Sequence, residues 1–338
     1  MFGTYRAFLA LMVVALHLGG VPAIGAYAVF GFYILSGYLM TLIMHKNYGY
    51  TTSGLYKYAK NRVLRIYPIY WVSIAFSAIL ILLVGEEFSS NFNESLYIPH
   101  NFTDTIKNIF LIFPYRESPR LTPPAWALTV EIFYYILIGL GLSKNKLVVV
   151  LWVLISVIYH IVVMAMNLGW EYRYFTIPAA SLPFATGALI YHYKKTLLEL
   201  LHCLHIKINE KLPYIIILGI LLNWLIGYIF VNSKGIFFYS NFILCGFMVV
   251  ALSGRKSLPC ISSKFDKWMG DFSYPIYLIH YQVGLIVVSL LSMVGLNYSA
   301  PNLTVMFFSI PFILVLSWII IIAVEKPIEL LRDKVKRS

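Results

Sequence analysis

Ten apolar runs pattern the chain, at about residues 7–24, 27–44, 66–84, 125–142, 147–168, 175–193, 214–231, 236–252, 272–296 and 303–324. Most approach the roughly 20 residues that a helix needs to cross the hydrocarbon of a bilayer. Between the runs the connections are mostly short and polar. The pattern predicts an all-α, polytopic integral membrane protein with about ten transmembrane helices. An even number of spans returns both termini to one side. The one long connection, residues 85–124, carries Glu86, Glu87, Glu94, Asp104 and Glu117 and closes on a proline-rich stretch from Pro114 to Pro124. Inside it, Ile109–Phe113 is too short to span and reads as an interfacial or re-entrant piece that helps to roof a cavity. With no soluble catalytic domain expected at either end and no internal repeat, residues 1–338 read as a single membrane-embedded domain.

Composition agrees with this class. Only 12% of the residues are charged, against roughly 25% in a soluble domain, so a soluble fold is excluded. The formal net charge of +12 would suit nucleic acid, but a nucleic-acid binder gathers its Lys and Arg on one solvated face. Here they lie in the connections. With the N-terminus in the cytoplasm, the inner connections collect 21 of the 26 basic residues, leaving Lys107, Arg116, Arg120, Arg173 and Lys234 outside. That is the positive-inside pattern, with both termini cytoplasmic. A cleaved signal peptide is not expected at residues 1–25, because the charged n-region is reduced to Arg6, a small-residue cleavage pattern is missing and His17 interrupts the apolar stretch. Cys203, Cys245 and Cys260 show neither an even count nor C-x-x-C spacing, so no disulfide framework is implied. His202, Cys203 and His205 make at most half a metal site and read as part of an amphipathic cytoplasmic helix; no metal is expected.

Ionisable residues inside membrane helices cost about 3 kcal/mol or more and are functional hypotheses by default. His17, Glu131 and His280 qualify. Arg6 and His17 are eleven residues apart, a helical rotation of about 1100° and a rise of roughly 16 Å, so they share a face, with the guanidinium near the inner surface and the imidazole deeper. This separation suits acyl-CoA: phosphates at the surface, met by the planar fork of Arg, and an extended pantetheine arm carrying the thioester towards His17. A snorkelling Arg and a His bonded between helices fit the same spacing. Glu131 sits six to seven residues into its run, at a depth matching His17, where a carboxylate would set the imidazole tautomer. A Glu131 bonded to a neighbouring Tyr, or kept protonated by burial, is the alternative. His280 alone reads as a buried structural residue that Tyr277, one turn away, can satisfy. Arg62 and Arg65 are helical neighbours able to clamp phosphate, or to serve topology and anionic lipid.

Six motifs then occur in order. They are Arg6-x10-His17; Gly31-Phe32-Tyr33-Ile34-Leu35-Ser36-Gly37-Tyr38; Arg62-Val63-Leu64-Arg65-Ile66-Tyr67-Pro68-Ile69-Tyr70; Trp126-Ala127-Leu128-Thr129-Val130-Glu131-Ile132-Phe133-Tyr134; the tract Phe272 to His280; and Glu325-Lys326-Pro327. Together they resemble acyltransferase family 3, the ten-helix membrane O-acyltransferases that include acetylases of bacterial O-antigens, exopolysaccharides and Nod factors. Two departures stand out: the acidic, glycine-containing stretch before the first arginine is reduced to Met1–Tyr5, and Ala127 stands where Ser is common. The resemblance implies His17 as catalytic residue, Glu131 as the intramembrane acid, and Arg6, Arg62 and Arg65 as acyl-CoA ligands. Ser36, Tyr70, Trp126, Tyr134, Tyr277 and His280, inside the matched motifs, are expected to support them.

The expected reaction moves an acetyl-type group from cytoplasmic acetyl-CoA, a co-substrate and not a bound cofactor, to a hydroxyl of a surface polysaccharide such as lipopolysaccharide O-antigen, capsule or exopolysaccharide. His17 acts as general base, or forms a transient acyl-histidine. The expected location is the bacterial inner membrane, with acyl-CoA, glycan acceptor and membrane lipids as partners and no nucleic acid. A lipid or peptidoglycan acceptor is the nearest alternative. A proton-coupled transporter would show paired halves and leaves the arginine motifs unexplained.

Overall fold

The computed structural model describes residues 2–113, 120–203, 210–230 and 234–337. Arg116, Glu117 and His205, named above, lie outside the described residues, as does the first half of the proline-rich stretch. Among the described residues there are helices and turns but no strands. The helices are α1 (Gly3–His17), α2 (Ile24–Ile43), α3 (Thr52–Val84), α4 (Glu86–Phe92), α5 (Phe102–Phe110), α6 (Ala125–Gly139), α7 (Lys146–Ala165), α8 (Trp170–Tyr174), α9 (Ile177–Cys203), α10 (Leu212–Ile229), α11 (Lys234–Leu252), α12 (Ser263–Met293), α13 (Leu303–Ile320) and α14 (Lys326–Arg337). Two π-helical turns, Met44–Tyr48 and Ile321–Glu325, extend α2 and join α13 to α14.

Each of the ten apolar runs falls on one of these helices. Seven stretches are long and apolar enough to cross a membrane: Ile24–Tyr48, Thr52–Val84, Lys146–Ala165, Leu212–Ile229, Gly235–Leu252, Ser263–Met293 and Leu303–Lys336. Reaching ten requires the shorter apolar helices α1 and α6 and α9, which departs from helical geometry at Tyr193. Many large apolar side chains on α7, α10 and α13 are exposed, among them Ile155, Ile158, Ile215, Leu218, Phe307 and Val315. Such outward faces need a lipid solvent.

Three boundaries differ from the apolar pattern. α1 stops at His17 instead of continuing to residue 24, because Gly20 takes a left-handed conformation (φ 72°) and the amide of Val21 turns back to the carbonyl of Ala15 at 3.0 Å. His17 is therefore in a last helical turn, not in mid-helix. α3 starts at Thr52, fourteen residues before its apolar run, so Arg62 and Arg65 lie within the helix and do not open it. Ile109 and Phe110 end α5, whose first turn is capped by the Asn101 side chain accepting from the Asp104 amide, and Leu111 closes it in the left-handed region.

The residues fall into two compact units. One comprises Met1–Leu9, Pro22–Tyr56 and Phe133–Gly270. Its centre is the pairing of α2 with α9, where a Cβ on Gly37 would lie 2.2 Å from the Phe184 carbonyl oxygen and one on Gly187 would lie 2.0 Å from that of Ile34. The glycines let the two backbones touch, and Phe30, Tyr33, Phe184, Tyr134 and Phe238 fill the space beside them. The other unit comprises Ala10–Val21, Lys57–Ile132 and Asp271–Ser338. There the last carbonyls of α5, which have no partner inside the helix, are taken by three side chains of α3: Tyr70 donates to Asn108 at 2.5 Å, Trp71 to Ile109 at 3.0 Å and Tyr67 to Phe110 at 3.0 Å.

Candidate active site

His280 lies mid-way along α12 and is fully buried. Its Nδ1 is 2.8 Å from the carbonyl oxygen of Tyr277 and 3.3 Å from that of Ile276. A carbonyl can only accept, so Nδ1 carries the proton. In the neutral ring Nε2 is then an acceptor. His17 Nδ1 sits 2.9 Å from that Nε2; it must donate, and the proton-free nitrogen of a neutral His17 is its Nε2. The ring centres are 5.1 Å apart and the planes 5° from parallel. A 2.9 Å nitrogen separation at that spacing requires both nitrogens close to the line joining the centres, which is an edge-to-edge N–H···N bond. Tyr281 rests against both rings, at 4.9 and 4.7 Å between centres. The α1 terminus that carries His17 is pinned by the amide of Asn302, which donates to the Leu18 carbonyl at 2.7 Å. His17 itself is half-buried, and among the described residues its Nε2 makes no hydrogen bond. An imidazole held by one nitrogen with the other presented as a base is arranged for proton transfer.

The same unit holds residues of three further motifs, Arg62–Tyr70, Trp126–Ile132 and Glu325–Pro327. Arg65 forms an ion pair with Glu325, at the end of the π-helical turn. Its guanidinium carbon lies 5.9 Å from the centre of the Tyr274 ring, and the Tyr274 hydroxyl donates to the Ile66 carbonyl at 2.8 Å. Tyr277 donates its hydroxyl to the Pro124 carbonyl at 3.0 Å, fastening α12 to the segment before α6. Behind them Gln282 of α12 bonds Ser73 and Ser77 of α3 at 3.0 and 2.8 Å.

Comparison with known families settles what kind of protein carries this arrangement: the model of acyltransferase family 3, described as an acyltransferase domain, matches residues 4–322. The chain belongs to this acyltransferase family. No curated protein and no solved structure matches it. It is thus a multi-pass membrane acyltransferase, and the expected site residues can be placed against its structure.

Glu131 was expected on the imidazole of His17; the partner of His17 Nδ1 is His280. His280 was expected to be a buried residue that Tyr277 can satisfy; it is buried and its Nδ1 bonds the Tyr277 carbonyl, while its Nε2 meets His17. Arg62 and Arg65 were expected as helical neighbours able to clamp phosphate. Arg65 is tied to the buried Glu325, while Arg62 Nη2 donates to Asn61 Oδ1 at 2.8 Å. Tyr70 is fully buried and holds α5, and Trp126 is half-buried in the first turn of α6. In the other unit Ser36 Oγ is 3.3 Å from the Tyr135 hydroxyl. Tyr134 donates to the Ile177 carbonyl at 2.7 Å and stacks on Phe184. Arg6 lies against Gly270, where a Cβ would meet its Nη2 at 2.7 Å, and Asp266 accepts from the amides of Gly3 and Thr4 at 2.9 and 3.0 Å.

The sequence reading also passed over a fourth intramembrane ionisable group, His160 of α7. It is 2% exposed, with Nδ1 2.9 Å from the Tyr239 hydroxyl and Nε2 3.0 Å from the Ala179 carbonyl. Both nitrogens are engaged, which makes it a tie between helices. Its position inside the run 147–168 was signal enough to find it.

Proposed function

We propose that this acyltransferase is an O-acetyltransferase of the bacterial inner membrane that moves acetyl from cytoplasmic acetyl-CoA to a hydroxyl of a surface polysaccharide. The observation that carries the reading is the His17–His280 pair, which leaves His17 Nε2 as an oriented base. In the proposed reaction, Nε2 takes the proton of the acceptor hydroxyl as its oxygen attacks the thioester carbonyl. The tetrahedral intermediate collapses with cleavage of the carbon–sulfur bond, and the imidazolium returns its proton to the leaving CoA thiolate. Positioned proton transfer of this kind contributes about 10²–10⁴-fold. While His17 is charged, its Nδ1–H bond to His280 is charge-assisted and strengthens, so His280 acts as a positioning residue that favours the intermediate. Arg62 and Arg65 are proposed to hold the CoA phosphates; the tie to Glu325 fixes the Arg65 side chain for that contact. Basic residues gathered in the cytoplasmic connections agree with a donor arriving from that side.

The test compares surface glycan from cells with and without the gene, by mass and by proton NMR of acetyl groups. Loss of glycan O-acetyl groups with the gene is expected. Unchanged acetylation, with lipid or peptidoglycan losing acyl groups instead, would move the acceptor elsewhere.

A further inference from the structure

We propose that Arg332 of α14 is a third guanidinium of the site that holds the donor's phosphates, organised with Arg62 around Asn61. This deepens the donor half of the proposed function and rests on it. Asn61 is fully buried, and its Oδ1 accepts from both arginines, from Arg62 Nη2 at 2.8 Å and from Arg332 Nε at 3.4 Å. Its amide nitrogen reaches back to the Arg332 carbonyl at 3.4 Å, so one amide fixes both the side chain and the backbone of α14. The positive charges of Arg62 and Arg65 act on Arg332, opposed by Glu325 and Glu329. Three cations therefore meet three carboxylates, Glu325, Glu329 and Asp271, of which Glu325 is paired with Arg65.

Like charges brought together in a half-buried place repel, and an arriving phosphate relieves that repulsion while accepting bidentate bonds. Arg332 is half-buried, and among the described residues its Nη1 and Nη2 make no hydrogen bond. They are the donors left over for such a ligand. Arg332 follows the Glu325-Lys326-Pro327 motif by five residues, just over one helical turn after Pro327, so the π-helical junction that places Glu325 on Arg65 also delivers Arg332 to Asn61.

The shared chemistry is a phosphate ester, which CoA and an anionic lipid headgroup both offer. The experiment therefore uses purified full-length protein in nanodiscs of phosphatidylcholine, titrated calorimetrically with CoA and with pantetheine, which lacks the phosphates. Arg332→Ala should weaken CoA binding about 10- to 100-fold and leave pantetheine binding unchanged. Lys336→Ala, on the same helix but exposed and paired with Asp333, should bind CoA like wild type. Repeating the titration in discs containing phosphatidylglycerol separates the two sources. If Arg332→Ala matters only there, the residue serves lipid and the proposal is overturned. If Arg332→Ala binds CoA like wild type while Arg62→Ala does not, Arg332 is excluded and the donor reading stands; if wild type binds no CoA, both fall. Should Arg332→Ala fail to fold, Arg332→Lys decides, since it keeps the charge and the stem but lacks the planar fork. A several-fold loss supports the site, and wild-type affinity overturns it.

Discussion

Replacing His280 by Phe keeps a flat ring of similar size on α12 and removes the one nitrogen that accepts from His17. The His17 Nδ1–H then loses its 2.9 Å partner beside a fully buried side chain. A buried donor left unsatisfied costs about 1–3 kcal/mol, and the bond lost in the transition state is charge-assisted and worth about 1.5–3 kcal/mol. If that loss falls on the chemical step, kcat drops about 10- to 100-fold. His280→Gln retains an acceptor oxygen within reach of His17 and should recover part of the rate. The assay follows acetyl-CoA consumption by purified protein in nanodiscs with de-O-acetylated surface glycan as acceptor, separating kcat from KM. A positioning role predicts a fall in kcat with KM for acetyl-CoA near wild type, beyond the modest drop in the unfolding midpoint that the unsatisfied donor brings. Wild-type kcat in His280→Phe would refute the reasoning, and so would a Gln variant no better than Phe.

Arg65→Ala leaves Glu325 buried without its counter-ion, which should lower stability by about 3–5 kcal/mol in denaturant or thermal melts. Arg65→Met combined with Glu325→Leu should regain most of that stability while CoA binding stays lost. Gly37→Ala places a Cβ 2.2 Å from a backbone oxygen of α9 and should cost at least about 1–3 kcal/mol through overpacking, seen as loss of folded protein on size exclusion. Gly246→Ala, with nothing within 4 Å of its Cβ, should be neutral. Glu131→Gln should lower the acyl-transfer rate less than His280→Phe, because His280 and not Glu131 meets His17 Nδ1; a larger loss would return the orientation of His17 to Glu131.

The ten apolar runs identified the helices because burial in lipid demands uninterrupted apolar length, and a period of that size survives local irregularity. Helix ends were less legible. The stop after His17 depends on a left-handed Gly20 and on α13 reaching the Leu18 carbonyl, and a hydropathy pattern carries neither. The polar start of α3 was invisible for the converse reason: Thr52 to Arg65 are helical without being apolar. His17, His280, Glu131 and the arginines stood out as charge in an apolar setting. Their partners did not, because His17–His280 and Arg65–Glu325 join residues more than 250 positions apart. Depth along separate helices suggested Glu131 for His17, but depth leaves rotation about each helix undetermined. In the protein that rotation brings His280 of α12 to His17.

The central claim is that His17 Nε2 is the base of acyl transfer, and the most direct measurement is the O-acetyl content of surface glycan from cells making His17→Ala at wild-type level and correctly inserted. The account predicts loss of acetylation, with CoA binding by the purified variant retained. Normal acetylation in those cells would contradict it.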